Sequence, residues 1–233
     1  MQLTVDPRVF PPSPPRDIDD ASIIAEHDWA AFGAVEEMTN HWDRPGWTAT
    51  TRAYYWLLTF AGVPALTKHA RRCQSALRHL GFDNIPEDGL HLTLGRIGHV
   101  DEVTTGQLGK LIAAVSDGGP DAFNIQAVPL TASRGAIRYS IAPWTPVVHL
   151  HAALAAAGTA SGLPSRKPPS ILRPHLGIAY CNRPMPARAV RDAVRPLRNL
   201  ASVDVPVQRV QLVALRREGR AYRWDVIHEL ELR

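Results

Sequence analysis

Two strand-like runs that begin with histidine constrain this chain most: "HLTLGRIG" from His91 and "HLGIAYCN" from His175, 84 positions later. Side chains alternate across a strand, so Leu92 and Leu94 share one side while His91 and Thr93 share the other. In the second run Leu176 and Ile178 share one side, and His175 and Gly177 the other. Each run also closes the same sequence of elements. "RAYYWLLTF" reads as a strand, followed by a helical segment from about Ala65 to Leu80 closed by Gly81, and then His91. "IRYSIAP" reads as a strand, followed by a helical segment from about Thr145 to Gly158 and the loop "LPSRKPPSILRP", and then His175. Ala53 precedes His91 by 38 positions and Arg138 precedes His175 by 37. One plan laid down twice predicts a duplicated unit of two lobes rather than a solenoid, which needs more copies.

The other segments fill out an α+β chain. Helices are expected near Thr105 to Ser116 and Ala187 to Leu200, with a strand at "FNIQAVPL". A closing pair, "VQRVQLVALRRE" and "AYRWDVIHELEL", turns at Glu218 and Gly219. Before the duplicated part, "DPRVFPPSPPRDIDD" is too rich in proline for a helix or a ladder, so residues 1–19 are expected to be a mobile tail. Residues 20–50 read as an N-terminal helical segment capped by Asp20 or Ser22. Residues 51–233 read as a single domain of two lobes, long enough to bury its own core.

Cysteine and charge narrow the setting. The two cysteines, Cys73 and Cys181, have no CxxC spacing, no secretory signal is evident, and no apolar run approaches membrane length. A reducing cytoplasm, free thiols and a monomer are expected. Residues 1–50 hold nine acidic and three basic residues, a net of −6, whereas residues 165–233 hold fourteen basic and six acidic, a net of +8. A basic lobe suits a phosphate-bearing or nucleic-acid ligand.

The histidines themselves point to proton transfer. Two positions along a strand span roughly 6.6 Å, which lets an imidazole and a hydroxyl hold one phosphate between them. Two imidazoles converging from facing lobes suit in-line displacement at phosphorus, one taking a proton from the attacking oxygen and the other giving one to the leaving oxygen. Arg96 and Arg173, beside the runs, are candidate phosphate ligands. Tyr54 and Trp56 are candidates to stack on a base, and Tyr180 reads as core by strict alternation.

These residues resemble the two-histidine phosphoesterase superfamily, which includes bacterial 2′-5′ RNA ligase-like proteins and cyclic phosphodiesterases. The resemblance rests on the two H-x-T/S-x strands, the "RPH" entry to the second and the closing "W-x-V" of Trp224 to Val226, and spans most of residues 50–233. It implies a bilobal duplicated fold, two antiparallel sheets flanked by helices with a central groove. It implies metal-independent opening of 2′,3′-cyclic phosphates or related phosphodiesters of RNA ends and cyclic nucleotides, with no cofactor. His91 and His175 would be acid and base in an order the resemblance leaves open, with Thr93 on the phosphate oxygens. A nucleotide or RNA 3′-end would be the substrate. Gly177 departs from the pattern, because a serine or threonine is expected there. Loss of one such hydrogen bond is worth about 1.5–3 kcal/mol.

Other classes fit less well. A zinc hydrolase lacks its ligand spacing, and His27 and His41 lie roughly 21 Å apart if helical. An RNA- or nucleotide-binding module without turnover needs the basic lobe but not the histidines. A metabolite enzyme on the same fold is a further alternative.

Overall fold

A computed structural model describes residues 2–116, 120–164 and 167–233. Within the proline-rich loop before His175, Ser165 and Arg166 lie outside the described residues. The elements in chain order are α1 (Ala21–Gly33), β1 (Glu37–Met38), β2 (Arg52–Thr59), α2 (Pro64–Ala76), β3 (Asp83–Asn84), β4 (His91–His99) and α3 (Thr105–Ser116). They continue with β5 (Phe123–Ala132), β6 (Ala136–Ala142), α4 (Thr145–Ala160), β7 (His175–Tyr180), β8 (Met185–Pro186), α5 (Ala187–Val194), β9 (Val203–Val207), β10 (Arg209–Glu218) and β11 (Ala221–Glu231).

Two antiparallel sheets dominate, one ordered β11-β10-β2-β4 and the other β3-β7-β6-β5-β9, with β1 and β8 forming a small separate pair. The mixed antiparallel architecture anticipated for the chain is therefore present. In both sheets the histidine strand pairs with the strand that opens its half: β4 with β2 and β7 with β6. β4 forms one edge of its sheet and lies against β7 of the other.

The helices exchange sides. α2, from the first half, packs on β7 and β9, while α4, from the second half, packs on β4. The exchange is visible in single contacts: His69 of α2 meets the Tyr139 hydroxyl of β6 at 2.7 Å, and the His151 ring of α4 presses against Gly95 of β4 so closely that a Cβ there would lie 2.8 Å from it. The lobes thus share one apolar core, with Phe32, Phe60, Tyr139 and Trp144 among its fully buried side chains. Breakers end the elements where expected. Gly81, with φ of +64°, closes the turn after α2, and Pro196 falls where α5 gives way to a 3-10 turn over Arg195–Asn199.

The N-terminal region differs most from expectation. The helix expected through residues 20–50 stops at Gly33, and Asp20 caps its start by accepting from the Ser22 and Ile23 amides. The proline-rich opening is held rather than free. Leu3 and Asp6 are buried, the Thr4 amide donates to the Ser170 carbonyl at 2.9 Å and Trp144 donates to Ile18 at 2.8 Å. Proline forbids a ladder but not a fixed extended path whose carbonyls accept from elsewhere. Among the described residues no helix is long and apolar enough to cross a membrane.

Candidate active site

The seam between β4 and β7 opens into a cleft of about 920 Å³ that both histidine strands line, contributing His91, Thr93, His175 and Gly177. Leu92, Leu94, Leu176 and Ile178 are buried behind them, so burial of the apolar side fixes which residues face the cleft. The two imidazoles are held identically. His91 Nδ1 meets the Gly89 carbonyl at 2.7 Å, and His175 Nδ1 meets the Arg173 carbonyl at 2.8 Å. A carbonyl only accepts, so Nδ1 carries the proton in both rings and Nε2 is left with its lone pair for the cleft.

The surroundings are strongly cationic. Arg8, Arg44, Arg96, Arg134, Arg138, Lys167 and Arg173 border the cleft, against Asp43 as the bordering carboxylate. Two of these, Arg8 and Arg44, come from the acidic N-terminal fifty residues, whose carboxylates mostly point elsewhere. Asp6, for example, is engaged by Arg8 at 2.6 Å.

Segment 39–47 forms an aromatic wall. The His41 ring stacks on Tyr180 at 3.9 Å between centroids and its Nε2 lies 3.1 Å from the Tyr222 hydroxyl. Trp47 and Tyr55 complete the wall. Bonds from the His41 amide to the Cys181 carbonyl and from Trp42 Nε1 to Asp83 pin the segment in place.

Charge and burial set the protonation states. Burial, reinforced by Arg138 and Lys167, presses the His175 pKa down to about 3. Its ring remains accessible on the cleft side, and the water there moderates the depression, so its direction is what matters: a neutral imidazole at pH 7. Burial also lowers the His91 pKa, but the Gly89 hydrogen bond opposes the shift. His41, buried beside Arg44 and Arg217, is pressed to about 3 and is neutral as well.

Not every expected site residue reaches the cleft. Arg96 does, with Nη1 3.5 Å from His99 Nε2. Arg173 borders it, but its guanidinium is occupied: Nε donates to Pro11, Nη1 to Leu172, and Nη2 to Thr4 and Pro12, at 2.7–3.1 Å. At 3% exposure it anchors the N-terminal segment, with four of its five N–H donors engaged by carbonyls of the described residues, which leaves it little to offer an anion in the cleft. Trp56, also 3% exposed, is core and borders a small hollow behind β4, and Tyr54 packs against the same core. Tyr55, between them, is the one that lines the cleft.

Tyr180 is buried in the core, as alternation placed it, and its ring also lines the cleft. The β6–β7 register slips between Ile137 and Arg138, where the partners change from Ala179 to Gly177. The extra residue, Ile178, resets the alternation. His41, Tyr222, Lys167 and Arg138 were not anticipated. For Arg138 a signal existed, because it and Ser140 interrupt an otherwise apolar strand.

A family model described as the 2′-5′ RNA ligase superfamily matches residues 63–219. No curated protein is similar to the chain. Among solved structures, apo LigT of E. coli superposes with a TM-score of 0.57 at 13% identity, covering 78% of this chain and 98% of LigT. LigT complexed with 3′-AMP gives 0.56 at 16% over the same shares. TT0787 of Thermus thermophilus gives 0.57 at 15%, covering 77% of this chain and 97% of its own.

Proposed function

Since the chain belongs to the 2′-5′ RNA ligase superfamily, we propose that it is a phosphoesterase that opens 2′,3′-cyclic phosphates or related RNA-end and cyclic-nucleotide phosphodiesters through His91 and His175, without a metal. The observation that carries the reading is the matched pair of imidazoles, each with Nδ1 committed to a carbonyl two residues before it and Nε2 left for one cationic cleft. The cleft is of nucleotide size, and a nucleotide ligand accords with the LigT complex with 3′-AMP.

The surroundings divide the roles. His175, beside Arg138 and Lys167, resists protonation and suits the base. His91, whose pKa is lowered by burial alone, is the easier of the two to protonate once an anionic phosphodiester enters, and suits the acid. Water attacks phosphorus and gives its proton to His175 Nε2. The bond from phosphorus to the 2′ or 3′ oxygen breaks as His91 Nε2–H protonates that oxygen. The product is a phosphomonoester, and solvent restores both rings. Thr93 accompanies His91 on the cleft wall and suits hydrogen bonding to a non-bridging oxygen.

Purified protein assayed with 2′,3′-cyclic nucleotides, 2′-5′-linked dinucleotides and cyclic oligonucleotides in excess EDTA tests this reading. Turnover lost in His91→Ala and in His175→Ala is expected. Turnover that survives both changes, or stops with EDTA, overturns it. Gly177, in place of a hydroxyl, favours one second reading, a nucleotide binder without turnover. That protein would bind with both histidines removed and hydrolyse none of the panel.

A further inference from the structure

Arg138 stands directly opposite Gly177 in the β6–β7 pair, just as Ser140 stands opposite His175. Opposed residues of antiparallel strands share a face, with Cβ atoms about 4.5–5.5 Å apart. The Arg138 side chain therefore leaves the sheet on the same face as the place where the second strand lacks its hydroxyl, more than 4 Å from a Cβ built at Gly177, and both residues line the cleft. We propose that Arg138 takes over that hydroxyl's work as the phosphate-binding group of the second lobe, an assignment that rests on the phosphoesterase reading above.

The hydrogen-bond inventory of Arg138 supports the assignment. The side chain is 2% exposed yet borders the cleft. Its Nη2 lies 3.9 Å from Asp28, its Nη1 reaches the Phe10 carbonyl at 3.4 Å, and its Nε is buried with no partner among the described residues. Among the described residues its five donors thus meet two long contacts, in surroundings where an unmet polar group is costly. Arg173, at the entry to β7, instead has four of its five donors taken by carbonyls. An anion in the cleft would satisfy the open donors of Arg138.

The pocket also holds Arg138 in place. The Phe10 ring lies 5.3 Å from its guanidinium, and Asp28 is oriented by the Ser140 hydroxyl at 2.6 Å. The exchange alters the site's preference. A guanidinium offers charge and a planar fork where a hydroxyl offers one neutral donor, so the site should favour a phosphate with two free anionic oxygens, such as the monoester product.

Space at position 177 is tight. An added Cβ would lie 3.1 Å from Ile85 Cδ1, so a serine there is best tested with Ile85→Val, which removes that methyl.

Calorimetric titration with inorganic phosphate reads the subsite without requiring turnover. Arg138→Met alone would strand the buried Asp28 carboxylate, so Asp28→Asn is combined with it and folding is checked by thermal melting. The folded double variant should bind phosphate at least tenfold more weakly. Adding Gly177→Ser with Ile85→Val should recover part of that loss, whereas in the otherwise unchanged protein the same serine should raise affinity less than threefold. Arg138→Lys, which keeps the charge and loses the fork, should weaken binding severalfold and serves where the double variant fails to fold. Unchanged phosphate affinity in either folded variant, or no recovery with serine, overturns the assignment. The phosphoesterase reading fails separately, if phosphate binding depends on Arg138 while no phosphodiester is hydrolysed.

Discussion

Around His91 the cleft supplies a hydroxyl, Thr93, and the Trp224 ring stands 5.4 Å from the imidazole at a steep angle. Around His175 it supplies a glycine, with Arg138 across the strand pair and Lys167 on the rim. The two imidazoles keep the same tautomer by the same device. Their neighbours differ in charge, and in the proposed mechanism that difference separates the acid from the base. A duplicated unit has in this way acquired two unlike halves without altering the residue that both halves share.

The sharpest way to break that comparison is to remove each histidine in turn. General acid or base catalysis contributes about 10²–10⁴-fold, so His91→Ala and His175→Ala should each lower turnover by roughly a thousandfold. A p-nitrophenyl phosphodiester, whose leaving group needs no proton, should restore most of the rate to His91→Ala and little to His175→Ala. Equal restoration in both variants would erase the division of roles.

Deleting residues 1–19 tests what the second half borrows from the N-terminus. Arg173 would lose its bonds to Thr4, Pro11 and Pro12, and Arg138 would lose Phe10. A net loss of about 3 kcal/mol is expected after water replaces some of these bonds, roughly 6–12 °C in Tm, with weaker phosphate binding. An unchanged melting temperature would return this segment to the status of a loose tail.

A smaller effect follows from protonation. His41 is held at about 3 and His151 at about 4, chiefly by burial, and His175 is lowered in the same direction, whereas an unfolded chain titrates histidine near 6.5. Below pH 6.5 the unfolded state therefore takes up protons that the folded state refuses. Stability should be full above about pH 6.5 and decline as the pH falls towards 4. Melting curves from pH 7.5 to 4.5 check this, and His175→Gln should flatten the decline by its own share. A decline unaltered by that variant would show that His175 keeps an ordinary pKa.

The smallest expected effect is at Lys167, an exposed cation. Lys167→Gln should weaken phosphate binding about two- to threefold at low salt and have less effect at high salt, because exposed charges are screened. A salt-independent loss would mean that the ammonium contacts the anion directly.

Much of this architecture was legible in the residues. The strand alternation of His91 to Leu94, the stop at Gly81 and the spacing of the two halves each express a local rule, and local rules can be read along a chain. The site was legible in its histidines and Thr93 but not in its walls. Tyr180 reads as core and is buried, but its place on the cleft wall is hidden because a single extra residue, Ile178, shifts the register, and a bulge leaves no mark in hydrophobic patterning. The engagement of Arg173 is invisible along the chain, because most of the carbonyls it meets lie more than 160 positions away. The proline-rich opening misled for the same reason: composition reports what a segment cannot do alone, not what a distant arginine does with its carbonyls.

The Thr4–Ser170 contact joins residues 166 positions apart, and this bears on how the protein is made. Thr4 leaves the ribosome well before Ser170 and cannot make this contact until the intervening chain has followed it. The entropy of closing so long a loop grows only slowly with its length, so the delay is one of synthesis order rather than of energy. The Arg173 guanidinium, which holds Thr4, Pro11 and Pro12, follows later still, whereas His91 and Thr93 are synthesised some eighty residues before it. The N-terminal segment therefore takes up its final place only after the second histidine strand has begun to emerge, and the two halves of the cleft are completed in the order in which they are made.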